Sequence, residues 1–302
     1  MVLDAGEKAC RRYVEFFTAN IRNKNTRAAY LHAVSRFAAW CEQQRMPLGS
    51  VSPPIVAAYV EQLRKTHSAP TVKQHLAALR QFLDFLTTGG VIGVNPAAAV
   101  RGPKYVVRRG KTPTLSPEHA RKLLDVIDRR TITGLRDRAL IAVMVFSFAR
   151  VSAAIGMNGG DYFSDGNRFW FRLHEKGGRY HEVPVHHRAQ AYLDEYLREA
   201  GIMFLASAPL FRTIDRYRRL TDRRLHRREV LAMIKKYAKR AKLPYSTCCH
   251  TFRATGITSY LLGGGTLERA QQIAAHADAS TTKLYDRRDD SVTWEEVERI
   301  GI

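Results

Sequence analysis

"CHTFRATGITSYLLGGGTLERAQQIAAHADASTTKLYDRR" (residues 249–288) has the apolar spacing of ordinary amphipathic helices, interrupted by His250, Arg253, His276 and Tyr285. His250 and Arg253 lie one helical turn apart and so share a face. Taken singly, each residue has a plain structural explanation. A buried, hydrogen-bonded histidine, a surface arginine and one of 13 tyrosines are all common features of a fold. Their occurrence together sends the reading outward to the rest of the chain.

The 302 residues suffice for one large domain or two ordinary ones, and 45% hydrophobic with 10% aromatic content can bury real cores. The charge is the dominant signal. Forty-nine Lys and Arg against 28 Asp and Glu give +21. A folded chain so far from neutrality repels itself, and a polyanionic partner is the usual reason for that arrangement. An acidic membrane surface is the rival partner, but the longest apolar run, around Ala139 to Ala149, is too short to span a bilayer. The opening "MVLDAGEKACRRYVEFF" lacks the basic-then-apolar order of a signal peptide. Cys10, Cys41, Cys248 and Cys249 suit a reducing compartment without a disulfide framework. Cys248-Cys249-His250 suggests zinc, yet adjacent cysteines rarely share a metal and no second Cys/His pair lies nearby.

The first hundred residues read as short helices. Tyr30, Val34, Phe37 and Cys41 fall at helical spacing, as do Val72, Leu76, Leu79, Leu83 and Leu86. Ser52-Pro53 opens a further helix through Leu63. "GGVIGVNPAAAVRGPKYVVRRGKTPTLSPEH" has glycine, proline and basic residues without an amphipathic period, and predicts a linker with a boundary near residue 105. Ser116-Pro117 caps a new helix, and Leu135 to Phe148 is apolar nearly all round, as a buried central helix would be. The one clear strand signal is "RFWFRLHEKGGRYHEVPV", two short runs around Lys176-Gly177-Gly178. From Gln190 onward the pattern is helical. The fold class expected is mainly α with a small β-sheet: a helical N-terminal domain and a mixed α/β second domain.

Two more residues stand out. Arg150 ends the buried helix, and Lys176 sits at the hairpin tip. Two arginines, two histidines, a lysine and a tyrosine are what metal-free cleavage of a phosphodiester needs. Arginines donate paired hydrogen bonds to the non-bridging oxygens as charge builds there. A histidine can manage the nucleophile's proton, and a lysine can protonate the departing sugar oxygen. A tyrosine hydroxyl, with an ordinary pKa of about 10, becomes a nucleophile only among such cations. No pair of acidic motifs suited to two Mg²⁺ ions is evident, which argues against a metal-dependent nuclease.

The order Arg150, Lys176, His250-Thr251-Phe252-Arg253, His276 and then Tyr285 nine residues later resembles the tyrosine recombinase (phage-integrase-like) family. "TVKQHLAALRQFLDFLTTGGVIGVNPAAAVRGPK" is similar to the end of the core-binding domain in Xer-like members, so the resemblance covers nearly the whole chain. It implies a core-binding domain over 1–104, a basic linker over 105–113 and a catalytic domain over 114–302, with a tail over 289–302. It also implies that Tyr285 attacks a scissile DNA phosphate to form a 3′-phosphotyrosyl link, with Arg150, Arg253 and His276 on the phosphate. His250 would be the acid/base partner of Tyr285, and Lys176 the acid for the leaving oxygen. Neither metal nor ATP nor any other cofactor is implied. Two positions depart from the family pattern. Ala153 stands where an acidic residue is usual, three after the first arginine, and Ala275 stands where glycine usually precedes the second histidine.

The same resemblance implies a double-stranded DNA target held in a two-domain clamp, and a homotetramer on two DNA sites passing through a Holliday junction. It admits a partner recombinase and places the enzyme in the bacterial cytoplasm at the nucleoid. Lys104, Arg108, Arg109 and Lys111 in the linker would track phosphates, which position without reading sequence. A second basic cluster spans Arg212 to Arg228 and includes Arg223 and Arg224. Base readout is expected from Lys73, Gln74 and His75. The acidic tail "DDSVTWEEVERIGI", with Val292, Val297 and Ile300, would dock on a neighbouring protomer or fold back on its own domain. The rival activities are a type IB topoisomerase and a non-catalytic architectural DNA-binding protein.

Overall fold

The structure is a computed structural model that describes residues 5–107, 110–175, 180–203, 205–288 and 297–298. The chain divides into two compact units, Met1–Val106 and Val107–Ile302.

The first unit is helical: α1 (Glu7–Glu15), α2 (Lys24–Gln43), α3 (Pro53–Thr66) and α4 (Ala69–Thr88). The Asn23 side chain caps α2 by accepting from the Asn25 and Thr26 amides at 3.0 and 3.1 Å, satisfying two of the helix's orphan donors. The expected stripe Val72, Leu76, Leu79, Leu83 and Leu86 is buried along α4, which packs on α2 and α3. Phe16, Phe17 and Phe82 form an aromatic cluster in this core; truncating Phe82 to alanine would cost about 3–5 kcal/mol. Part of the segment read as linker belongs to this core. Ala97 and Val100 are buried, Arg80 donates to the carbonyls of both, and Asn95 returns a bond to the Arg80 carbonyl at 3.0 Å. Glycine and proline hide this attachment from a periodicity reading, because it is made by two apolar side chains and backbone carbonyls.

In the second unit α5 (Pro117–Asp125) is capped by Ser116 Oγ, 3.2 Å from the His119 amide. α6 (Ile132–Phe146) is buried on nearly every face. A short α7 (Val151–Gly156) follows. Strands β1 (Tyr162–Ser164), β2 (Phe169–His174) and β3 (Tyr180–Pro184) form an antiparallel sheet in that order, with Phe171 opposite Val183. Alternate side chains Phe171 and Leu173 enter the core, as the period of two requires. The remaining elements are α8 (His187–Glu199), β4 (Arg212–Ile214), β5 (Leu220–Arg224), α9 (Arg227–Arg240), α10 (Cys249–Leu262), α11 (Leu267–Ala274) and α12 (Ala279–Lys283).

The β4–β5 hairpin corrects the helical reading of everything after Gln190. Its strands are short and arginine-rich, so alternation is faint. The Asp215 side chain shapes the turn by accepting from the Tyr217 and Arg219 amides at 2.8 and 2.9 Å.

α6 packs against α8 and α10. At the α6–α10 crossing only glycine fits: a Cβ on Gly256 would lie 2.0 Å from the Val145 carbonyl oxygen. This close approach sets the first turns of α10, with His250 and Arg253, beside the end of α6 that leads to Arg150.

Candidate active site

Arg150 is the N-cap residue of α7, in extended conformation. Its guanidinium pairs with Glu175, whose side chain is 1% exposed just past β2. The Arg150 amide also reaches Glu175 Oε1, at 3.4 Å. Arg253 enters from α10 and is the largest fully buried side chain among the described residues. It donates to the Phe148 and Ala274 carbonyls and stands 3.7 Å from Glu175 Oε1. Its Nε–H is buried without a hydrogen-bond partner.

His276 is delivered by the end of α11. Ala275 takes the left-handed conformation (φ 47°, ψ 46°). The Ala275 amide bonds Gln272 O at 3.0 Å and the His276 amide bonds Gln271 O at 3.1 Å, which makes a Schellman motif. Glycine is favoured at such a position because it has no Cβ penalty, and that is the physical content of the alanine-for-glycine departure. His276 Nδ1 lies 2.8 Å from the Thr282 hydroxyl. Tyr285 follows α12 and is 7% exposed. Its ring lies nearly parallel to that of His276, at 9° and 5.8 Å between centroids. The Tyr285 carbonyl accepts from Thr258 Oγ1 at 2.9 Å, and its hydroxyl is 2.7 Å from His250 Nε2.

The electrostatics follow from burial beside cations. Burial, then Arg253, Arg150 and His250, push His276 down to about 3. Packing around the His250 ring, then Arg253 and Arg150, lowers His250 as well, although part of that residue is solvent-exposed. Both imidazoles are neutral at pH 7. Burial raises the Tyr285 hydroxyl against the opposing pull of Arg253 and Arg150. Burial and Arg150 lower Arg253 to about 10, which leaves it a cation. The described site therefore holds a protonated phenol on a neutral imidazole, facing two guanidiniums that share one carboxylate. An anion would fill it: it would partner the arginines and raise both histidine pKa values toward protonation.

Five of the six expected catalytic residues, Arg150, His250, Arg253, His276 and Tyr285, converge; Lys176 lies outside the described residues. Glu175 and Thr282 were not singled out from sequence. Glu175 carried one signal, an acidic residue ending an aromatic strand beside Lys176, whereas Thr282 sits among ordinary helix-start residues. The thiols beside the site serve the helix: Cys248 Sγ lies 3.8 Å from Thr251 Oγ1 at the start of α10. Burial raises Cys249 to about 11. Among the described residues no group of three or more His, Cys, Asp or Glu is placed to hold a metal ion, and no helix is long and apolar enough to cross a membrane.

The expected DNA contacts separate by exposure. Lys73, Gln74, Lys104, Lys111 and Arg223 are exposed. Arg108 and Arg109 lie outside the described residues, as does nearly all of the tail over 289–302. His75 is buried (4% exposed), with its ring centroid 5.9 Å from that of His32, so it is closed to a base in this structure. Arg224 is committed to the fold: it donates to the Ile155 and Met157 carbonyls at 2.7 and 2.8 Å and to Asn158 Oδ1 at 2.5 Å. Arg212, in the same cluster, is buried and held by Asp222 at 2.9 Å. Sequence alone cannot distinguish an arginine that laces backbone carbonyls from one that faces water.

The family model described as "Phage integrase family" matches residues 113–291, and "Phage integrase, N-terminal SAM-like domain" matches residues 11–86. The chain belongs to the phage integrase family, the tyrosine recombinases. Its relatives place it among the Xer-like members. It is 30% identical to tyrosine recombinase XerC of Thermodesulfovibrio yellowstonii, over 79% of this chain and 78% of that protein. It is also 30% identical to XerC of Pelobacter propionicus (92% and 89%) and 28% identical to XerD of Chlorobaculum tepidum (88% and 87%). Two solved structures share its fold. One is a XerH site-specific recombinase bound to a palindromic difH substrate, with TM-score 0.73, 17% identity, and 92% of this chain and 84% of that one covered. The other is a lambda integrase dimer bound to a COC′ core site, with TM-score 0.71, 17% identity, and 94% and 98% covered.

Proposed function

We propose that this site-specific tyrosine recombinase cuts and rejoins duplex DNA through Tyr285. The supporting observation is the 2.7 Å contact between the Tyr285 hydroxyl and His250 Nε2, beside two guanidiniums. Burial holds the Tyr285 hydroxyl above the ordinary phenol range, so it is protonated at pH 7 and attack needs a proton acceptor in place. His250 takes the proton as the phenolic oxygen bonds to phosphorus. The bond from phosphorus to the 5′ oxygen breaks, and Lys176 protonates that oxygen. Arg150 and Arg253 hold the non-bridging oxygens. His276 adds a donor. The 3′-phosphotyrosyl link conserves the bond energy, and a 5′-hydroxyl from a second duplex reverses the step.

In this reading residues 1–104 form a core-binding domain, 105–113 a phosphate-tracking linker and 114–302 the catalytic domain. A homotetramer on two sites carries the exchange through a Holliday junction in the cytoplasm at the nucleoid, with a partner recombinase as one version of the assembly. The test presents the protein with a pool of nicked duplexes that trap cleavage. An SDS-resistant adduct that forms in EDTA and disappears in Tyr285→Phe supports the reading. Tight, salt-sensitive binding to the same pool without an adduct favours an architectural role, or a recombinase silent without its partner.

A further inference from the structure

Glu175 is 5% exposed and has guanidiniums on two sides, Arg150 in a direct ion pair and Arg253 at 3.7 Å. Carboxylates are almost never this buried unless paired. The pairing here is with the two arginines assigned to the phosphate and with no other side chain among the described residues. The contrast within the pair is informative. Arg253 is also held by the Phe148 and Ala274 carbonyls, so its place does not depend on one partner. Arg150 is 33% exposed, and the partner its guanidinium finds among the described residues is Glu175. No carboxylate can reach it from its own helix. The position one turn on is Ala153, 1% exposed and packed in the core.

We infer that Glu175, carried in from the end of β2, is the positioning residue that aims Arg150 at the scissile phosphate and keeps two like charges together in one buried site. The inference rests on the phosphate-binding assignment of Arg150 and Arg253 made above. An arginine's long side chain has many rotamers, and one charge-assisted partner selects among them before DNA arrives. A carboxylate between the two guanidiniums also offsets their repulsion; burial first and then Arg150 depress Arg253, and Glu175 acts in the opposite sense. The acidic residue usual at position 153 in this family is absent, and its charge enters this site from the neighbouring strand instead.

The first test is single-turnover cleavage of a nicked duplex, with DNA affinity measured alongside. Glu175→Gln keeps the shape and removes the charge. It is expected to lower the cleavage rate about 10- to 100-fold, the usual effect of removing a partner that orients a reacting group, while Kd changes less than about twofold. Glu175→Asp, with the charge set back by one methylene, should fall between wild type and the Gln variant. It carries the test if the Gln variant does not fold. Wild-type rates in the variants, or cleavage and affinity lost in proportion, would overturn the inference.

A second readout does not depend on cleavage. NMR of arginine Nε–H groups should show Arg150 ordered in the wild type and averaged in Glu175→Gln, while Arg80, held by the Ala97 and Val100 carbonyls, is unchanged. Equal order at Arg150 in both proteins overturns the inference. A wild type that forms no adduct but shows the Arg150 change would reject the cleavage reading and retain the positioning role.

Discussion

His276 Nδ1 and the Thr282 hydroxyl lie 2.8 Å apart, with both side chains sealed from solvent. A neutral imidazole has one donor and one acceptor nitrogen, so a partner on Nδ1 decides what Nε2 can offer a phosphate. Thr282→Val preserves shape and removes that partner. It should destabilise the protein by about 1–3 kcal/mol, the cost of a buried polar atom left unsatisfied. Cleavage should fall about 10-fold or more as the ring loses its fixed orientation. Denaturant melts and adduct formation with a nicked duplex check the two parts. Full cleavage by a stably folded valine variant would show that ring stacking on Tyr285 suffices.

Acid should weaken the fold through the same histidine. The pKa of His276 is about 3 in the folded state, against 6.5 for an ordinary imidazole. The unfolded chain therefore binds the extra proton first, and stability is fully present above about pH 6.5 and lost as pH falls toward 3. Between pH 7 and 5 the loss attributable to His276 is at most about 2 kcal/mol. Urea midpoints across that range should fall in the wild type and fall less in His276→Gln. Parallel slopes for the two proteins would contradict the depressed pKa.

Ala275 offers the opposite case, a substitution that should help. Its left-handed backbone (φ 47°) places a Cβ where L-residues are disfavoured, at a cost of roughly 1–2 kcal/mol. Ala275→Gly should raise stability by about 1 kcal/mol, part of the gain being offset by the greater freedom of glycine in the unfolded chain. The measurement is thermal melting with and without the substitution. Cleavage should be retained, because the Schellman bonds that deliver His276 are backbone bonds.

Much of this molecule was legible before any coordinates. The stripe from Val72 to Leu86, the Ser116-Pro117 cap and the buried central helix are local patterns with one physical meaning each. The residues of the candidate site were legible jointly, because Arg150, His250, Arg253, His276 and Tyr285 each have a common structural explanation and only their order together points to one site. What escaped depends on tertiary placement. Glu175 matters because two guanidiniums from different elements meet it. His75 and Arg224 were read as DNA contacts because neither burial of a ring nor commitment of a guanidinium to backbone carbonyls leaves a trace in spacing. The β4–β5 hairpin escaped because strands of three and five residues rich in arginine show little alternation.

The two faces of the arginine cluster give a test of that distinction. Arg223 is exposed, whereas Arg224 holds the Ile155 and Met157 carbonyls and Asn158. Arg224→Ala should lower stability by about 1–3 kcal/mol through acceptors left without a donor, and lower DNA affinity only as far as the fold suffers. Arg223→Ala should leave the melt unchanged. If Arg223 contacts a phosphate, its removal weakens binding similarly across sequences and reduces the log–log salt dependence by about 0.9. Titrating labelled duplex at several salt concentrations reads the slope directly. An unchanged slope for Arg223→Ala removes Arg223 from the DNA-binding surface.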